Sequence, residues 1–171
     1  MAHLEQPALE QKVIKRLDVF KGLNKEQLTE LMSWLVRVEV PPHKLIIREG
    51  AVPNGLFLLC RGEVAVIKGS SKGHLRLNVL HAPSFFGEAS LLIDGRRSTS
   101  IRALTPCMLG KLPKDLFLHK IEQHRLTALL VAQNLARLLA QRLIQADEQL
   151  EHLTQHHKRL EEGERFRQIN A

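Results

Sequence analysis

The chain has 171 residues, 44% hydrophobic and 25% charged, with 25 Lys+Arg against 18 Asp+Glu. This composition excludes a disordered chain, and the length allows one ordinary domain with an extension, not two full domains. The formal charge of +7 is concentrated: residues 1–60 carry 8 basic against 7 acidic side chains, residues 61–120 carry 10 against 4, and residues 121–171 carry 7 against 7. A uniform excess would suggest nucleic acid or a membrane surface, whereas an excess in the middle third also fits a local anion site. Cys60 and Cys107 lack Cys-x-x-Cys spacing and sit in apolar runs. No disulfide framework is therefore expected, and a reducing, cytoplasmic setting is. No apolar run reaches the ~18 residues of a membrane helix. The N-terminus mixes Glu5 and Glu10 with Lys12, Lys15 and Arg16, and it lacks the apolar core of a signal peptide.

Taken in chain order, Leu9 to Val38 has helical periodicity. Val13, Leu17 and Phe20 recur at spacings of four and three, and Gly22 breaks the run. Asn24 is placed to cap a second helix, with Gln27 as its capping-box partner. Leu28, Leu31, Met32, Leu35 and Val36 form its apolar stripe, with Trp34 at the edge. Pro41-Pro42 ends this section. The period then changes. Leu45 to Ile47, Leu56 to Cys60 and the run around Val64 and Val66 read as short strands, separated by Glu49-Gly50 and Arg61-Gly62-Glu63 turns. After the polar Gly69-Ser70-Ser71-Lys72-Gly73, Leu75, Leu77 and Val79 alternate with Arg76 and Asn78, as a half-buried strand does. Further strands are expected at 100–104 and 107–112. Many short strands with Gly/Pro turns predict a β sandwich or roll.

From Asp115 onward the pattern is helical. From Leu129 it becomes a heptad, with Leu129, Ala136, Leu143, Leu150 and His157 at a, and Ala132, Leu139, Ala146, Leu153 and Leu160 at d. This predicts a coiled coil about 48 Å long. In a parallel pair Arg142 would face Asp147 of the partner, and His156 would face Glu161. The alternative is a helix packed on its own domain.

The chemistry concentrates in Phe85-Phe86-Gly87-Glu88-Ala89-Ser90-Leu91-Leu92, Asp94-Gly95 and Arg96-Arg97-Ser98-Thr99-Ser100-Ile101. Gly87 permits a close backbone approach. Glu88 to Leu92 can form a helical turn whose first N–H groups favour an anion. The Asp94-Gly95 turn brings Arg97 back toward that start. An arginine beside N–H donors clamps phosphate. Ser98 and Thr99 add donors, and Glu88 can accept from a sugar hydroxyl.

Together these residues resemble the phosphate-binding cassette of the cyclic nucleotide-binding domain, the family that includes the catabolite activator protein and the regulatory subunit of protein kinase A. Arg97 falls ten positions after Gly87, as in the family pattern, and Ala103 matches its end. Ile47-Arg48-Glu49-Gly50, Leu56-Phe57-Leu58 and Arg61-Gly62-Glu63-Val64 are similar to the family's early strands and turns, and the likeness covers about residues 14–145. It implies an α+β fold: an eight-stranded antiparallel, jelly-roll-like β-roll with N-terminal helices (1–40), the roll itself (41–113, cassette at 86–101), and a hinge helix and long C-helix forming the coiled coil (114–171). It also implies that Arg97 pairs with the cyclic phosphate, supported by Ser98 and the backbone N–H groups of Ala89 and Ser90. Glu88 and the Gly87 backbone would hold the ribose 2′-OH, and Thr99 would add a neutral donor to the site.

The chain departs from the pattern at Ala89, smaller than the usual apolar residue, and at Arg96, which would attract phosphate or pair with Asp94. His43 and Ala82 stand where turn glycines are common. A Thr directly after the arginine is associated with cGMP in parts of the family. Ser98 stands there, so cAMP is favoured over cGMP. Gln141 and Arg142 are the nearest polar candidates for a base lid.

Other signals are weaker. His152 and His156 lie one helical turn apart without a third ligand at matching spacing, so no metal is expected. No catalytic Ser/His/Asp constellation or P-loop is visible, and no enzymatic activity is expected. DNA-binding relatives carry a helix-turn-helix after the C-helix. The short tail after Glu161-Glu162-Gly163 does not supply one, and sequence-specific DNA binding is not expected. The resulting expectation is a stand-alone cyclic nucleotide sensor and homodimer acting on an unidentified effector protein, with its hinge near Phe117. The alternatives are a ligand-free coiled-coil scaffold or a cyclic dinucleotide receptor.

Overall fold

The punctuation seen in the sequence divides the chain into short antiparallel strands between helical ends. The computed structural model describes residues 11–71 and 73–169, with backbone only for residues 90 and 156–169. The predicted features at Leu9, Lys72, and the side chains of His156, His157, Leu160 and Glu161 lie outside the described residues. The chain folds as two units, Met1–Leu135 and Ala136–Ala171.

The first unit begins with helix α1 (Gln11–Ile14), a 3-10 turn (Asp18–Phe20) and helix α2 (Lys25–Trp34). The expected capping box is present: Asn24 Oδ1 accepts from Gln27 N, and Gln27 Oε1 accepts from Asn24 N, both at 2.9 Å. Trp34 was expected at the edge of the α2 stripe. It is buried, and Lys120 Nζ lies 5.9 Å from its ring centroid.

The helical pattern was expected to run to Val38. Instead the chain turns to strand β1 at Val36–Val40. Val36, Val38 and Val40 alternate with Arg37 and Glu39, a period of two built on β-branched residues, and the strand pairs antiparallel with residues 107–111. The roll therefore starts before residue 41.

Strands β2 (Leu45–Ile47), β3 (Gly55–Arg61), β4 (Glu63–Ser70), β5 (Gly73–His81), β6 (Ser84–Phe86), β7 (Ser100–Ala103) and β8 (Cys107–Pro113) complete two four-stranded antiparallel sheets. Their orders are β1-β8-β3-β6 and β2-β7-β4-β5. The inner faces meet in a core that includes Ile47, Phe57, Leu59, Val64, Phe86, Ile101 and Leu109. β3 is apolar at almost every position because both its faces are covered. Phe57 and Leu59 point into the roll, while α1 and the helical segments at 89–92 and 114–122 pack near the strand. Neither Cys60 nor Cys107 is in a disulfide, and both are buried. Burial raises the Cys107 thiol above its ordinary pKa.

One strand differs from its pattern. Leu75 and Leu77 were expected to be half-buried, but they are 56% and 52% exposed. β5 is an edge strand. β4 pairs with β7 only from Val64 to Ile67, so the hairpin beyond that point, where Lys68 meets Leu75, extends past its third strand.

Helix α3 (Ala89–Leu92) lies within the cassette, and helix α4 (Lys114–Glu122) follows β8. Helix α5 spans Leu126–Ile169, with its first turns in the first unit. There Thr127, Ala128, Val131, Asn134 and Leu135 are buried. Asn134 Nδ2 donates to Val19 O and Lys21 O at 3.2 and 2.8 Å, and Arg125 Nε donates to Glu30 Oε1 at 2.7 Å. Thr127 Oγ1 donates to the other oxygen of Glu30. The second unit is helical from Ala136 to Ile169, and Leu143, Leu150 and Leu153, the residues expected to line a coiled-coil seam, are exposed in the single chain.

Candidate functional site

The site is built where the loop after β6 meets the segment before β7. Phe86 ends β6 and stacks on Phe57 of β3, with ring centroids 5.5 Å apart, which fixes the start of the loop. Gly87 follows at φ +80°. A Cβ at this position would lie on Arg97 Nη1, so the glycine serves both the backbone conformation and the close approach of the guanidinium. Glu88 then takes helical dihedrals, and its carbonyl accepts from Leu91 N at 3.0 Å, starting the single turn of α3. Leu91 is fully buried and anchors that turn to the roll. Glu88 is half-buried and Ala89 exposed, and the backbone of Ser90 continues the turn.

Arg97 is the central residue. Its side chain is 6% exposed, among very few buried polar groups in the described residues. Nη1 donates to Gly87 O at 3.2 Å, and Nη2 donates to Gly55 O at 2.7 Å and Asn54 Oδ1 at 3.4 Å. Its Cζ lies 6.0 Å from the Phe57 ring centroid. Burial lowers the Arg97 pKa from its ordinary value, yet a guanidinium remains charged at neutral pH. A buried cation supported by carbonyl oxygens is arranged to receive an anion. Ser98 is exposed and Thr99 half-buried, at the outer end of the same segment.

Arg96 does not pair with Asp94. Its Nη1 donates to Gly50 O at 3.0 Å, while Asp94 Oδ1 accepts from Lys114 Nζ at 2.9 Å. Lys114 also donates to Ile93 O at 3.2 Å, which ties the first residue of α4 to the end of α3. The hydrogen bond from Lys114, with its charge, holds the Asp94 carboxyl below its ordinary pKa. Phe117 of α4 is fully buried. His43 adopts φ +66°, consistent with its standing at a glycine-favouring turn. Gln141 and Arg142 belong to the second unit, where both are exposed.

The sequence motif brought together Gly87, Glu88 and Arg97. Sequence reasoning missed Asn54 and Gly55, which hold the far side of the guanidinium. The Asn54-Gly55 dipeptide is a strong turn signal, and it was the available clue. Among the described residues no group of three or more His, Cys, Asp or Glu is placed to hold a metal ion, and no helix is long and apolar enough to cross a membrane.

Comparison with known proteins agrees with this geometry. The cyclic AMP receptor protein of Thermus thermophilus is 35% identical over 142 residues, covering 82% of this chain and 64% of that protein. The cGMP-dependent protein kinase of Eimeria tenella is 32% identical over 118 residues, covering 68% of this chain and 11% of the kinase. The crystal structure of the Thermus thermophilus catabolite activator protein aligns with a TM-score of 0.72 at 34% identity, covering 80% of this chain and 63% of that one. The chain thus spans less than two thirds of the length of each of these relatives. The sequence pattern that defines the cyclic nucleotide-binding domain matches residues 37–124, and the chain belongs to that family.

Proposed function

We propose that the chain is a cyclic nucleotide sensor, with cAMP favoured over cGMP, that acts as a homodimer on a separate effector protein in the cytoplasm and catalyses no reaction itself. The observation that carries this reading is the buried Arg97 guanidinium held against the Gly87 carbonyl. In the bound state Arg97 pairs with the cyclic phosphate, joined by Ser98 and the N–H groups of Ala89 and Ser90, which stand at the start of α3. Glu88 and the Gly87 backbone accept the ribose 2′-OH, with Thr99 at the rim. Two relatives carry cyclic AMP and cGMP in their names. Ser98 directly after the arginine favours the adenine nucleotide, and Gln141 or Arg142 would close over the base.

The signal travels through α4. The Lys114 contacts with Ile93 and Asp94 support a path in which closure of the cassette on a ligand moves the helix that carries Phe117. Ligand must favour one arrangement of the C-terminal helix for this to act as a switch. The exposed Leu143, Leu150 and Leu153 support pairing of two copies along α5. The same exposed row also fits a ligand-free coiled-coil scaffold. Calorimetric titration with cAMP, cGMP and a cyclic dinucleotide separates these readings. Tighter binding of cAMP than of the others is expected. Binding of the cyclic dinucleotide alone would reassign the ligand, and binding of none at high micromolar concentration would leave the scaffold.

A further inference from the structure

The segment that carries Arg97 is fastened along its length to the turn after β2. Arg96 Nη1 donates to Gly50 O at 3.0 Å, Gly50 N to Arg97 O at 2.8 Å, and Arg97 N to Ala51 O at 3.0 Å. Glu49 N donates to Ser100 Oγ at 3.0 Å. At Ser98 the fastening comes from a different strand. Lys68 Nζ, on β4, donates to Ser98 O at 2.7 Å. The same ammonium meets Glu49 Oε1 at 2.7 Å, and Glu49 Oε2 accepts from Gly69 N at 2.8 Å. Glu49 thus grips both the backbone and the side chain of the β4 end, and it aims the lysine at the cassette.

The chemistry suits a small adjustment of backbone direction. An ammonium has three donors on a compact charge, so it can serve a carboxylate and a carbonyl at once. Fixing the Ser98 carbonyl fixes the peptide plane between Ser98 and Thr99, and with it the direction in which the Thr99 N–H points. The hydrogen bonds from Lys68 and Gly69 hold the Glu49 carboxyl below its ordinary pKa, which keeps it an acceptor for the ammonium near neutrality. Both side chains are partly exposed, at 45% and 31%, so the pair adds little to global stability and its effect is local.

We infer that the Glu49–Lys68 pair is a positioning device for the ligand site, setting the backbone that follows Arg97 in its binding arrangement before ligand arrives. This inference rests on the cyclic nucleotide reading proposed above. Glu49 and Lys68 are positioning residues that act through Ser98.

The test is cAMP titration of the full chain, unaltered and as Lys68→Met, Lys68→Arg, Glu49→Gln and the double variant Glu49→Gln/Lys68→Met, with the melting midpoint of each measured without ligand. Lys68→Met is expected to bind about fivefold more weakly, near the upper limit for an exposed pair. Lys68→Arg keeps the charge and is expected within about twofold of the unaltered chain. The double variant should bind no more weakly than Lys68→Met alone, because both changes break one unit. The melting midpoints should stay together. Unchanged affinity in Lys68→Met overturns the device. A loss in Lys68→Met that Glu49→Gln does not share also overturns it, because Lys68 would then act on the ligand directly. A loss matched by a falling melting midpoint reduces the pair to a structural support and overturns it too. Absence of cAMP binding by the unaltered chain is a different result, and it strikes the proposed function itself.

Discussion

The first turns of α5 and its distal part belong to one helix but differ in how far their apolar residues are buried. From Thr127 to Leu135 the buried positions are Thr127, Ala128, Val131, Asn134 and Leu135, a face spaced by three and four that is closed by specific hydrogen bonds to the N-terminal helical segment. In the second unit the leucines at 143, 150 and 153 keep heptad spacing and are more than 60% exposed. At Leu129 the two patterns coexist: this first heptad position is 40% exposed while its neighbour Ala128 is fully buried. Within the first unit, then, the buried face of the helix and the first expected heptad position do not coincide. Periodicity alone shows that a face is apolar, and burial shows which face the domain already uses.

The largest effect that sharpens this contrast is expected at Leu135. Leu135→Ala removes a fully buried side chain and should destabilise the first unit by about 2–5 kcal/mol in chemical denaturation. Leu150→Ala, on the exposed seam, should leave that transition within about 0.5 kcal/mol. Equal effects at the two positions would erase the distinction. A crossed pair of variants separates ligand binding from assembly. Arg97→Ala should weaken cAMP binding by about 1.5–3 kcal/mol in calorimetry, without changing the mass measured by light scattering. Leu143→Asp should halve that mass and leave the denaturation transition of the first unit in place. Unchanged affinity in the first variant would move the phosphate elsewhere, and unchanged mass in the second would refute the heptad seam.

What the sequence made legible follows from the range over which each feature is encoded. Strands β2, β3, β4, β7 and β8 announce themselves locally, through apolar runs between Gly and Pro. The capping box at Asn24 and Gln27 is likewise a pattern of four residues. Gly87 and Arg97 form a motif within one stretch, and the structure joins them by a hydrogen bond. β1 was hidden because Leu35 and Val36 continue the apolar stripe of α2, while the alternation that marks the strand begins at the same place. The supports of the site were hidden for another reason. Asn54 and Gly55 reach Arg97 from 43 and 42 residues away, and Lys68 reaches Ser98 from 30. The tertiary fold brings these distant residues together, and no local pattern encodes it.

The smallest expected effect tests how the beginning of α5 is held. Glu30 of α2 feels opposing influences. Partial burial raises its pKa, but the hydrogen bonds from Thr127 and Arg125, with the charges of Arg125 and Lys120, outweigh it and leave the carboxyl below its ordinary value. A folded-state pKa below the unfolded one contributes stability that is fully present above the unfolded pKa. That contribution is lost as pH falls through the folded pKa. Between neutrality and mildly acidic pH the contact should therefore persist, and it should fade on further acidification. Glu30→Gln removes the titrating group while keeping an acceptor for Thr127. The variant should be slightly less stable than the unaltered chain at pH 7, and the difference should shrink toward low pH in denaturation curves. Leu150→Ala should show no such convergence, because it removes no titrating group. A pH-independent difference for Glu30→Gln would mean that α5 is held at this end by its buried apolar face and Asn134 alone.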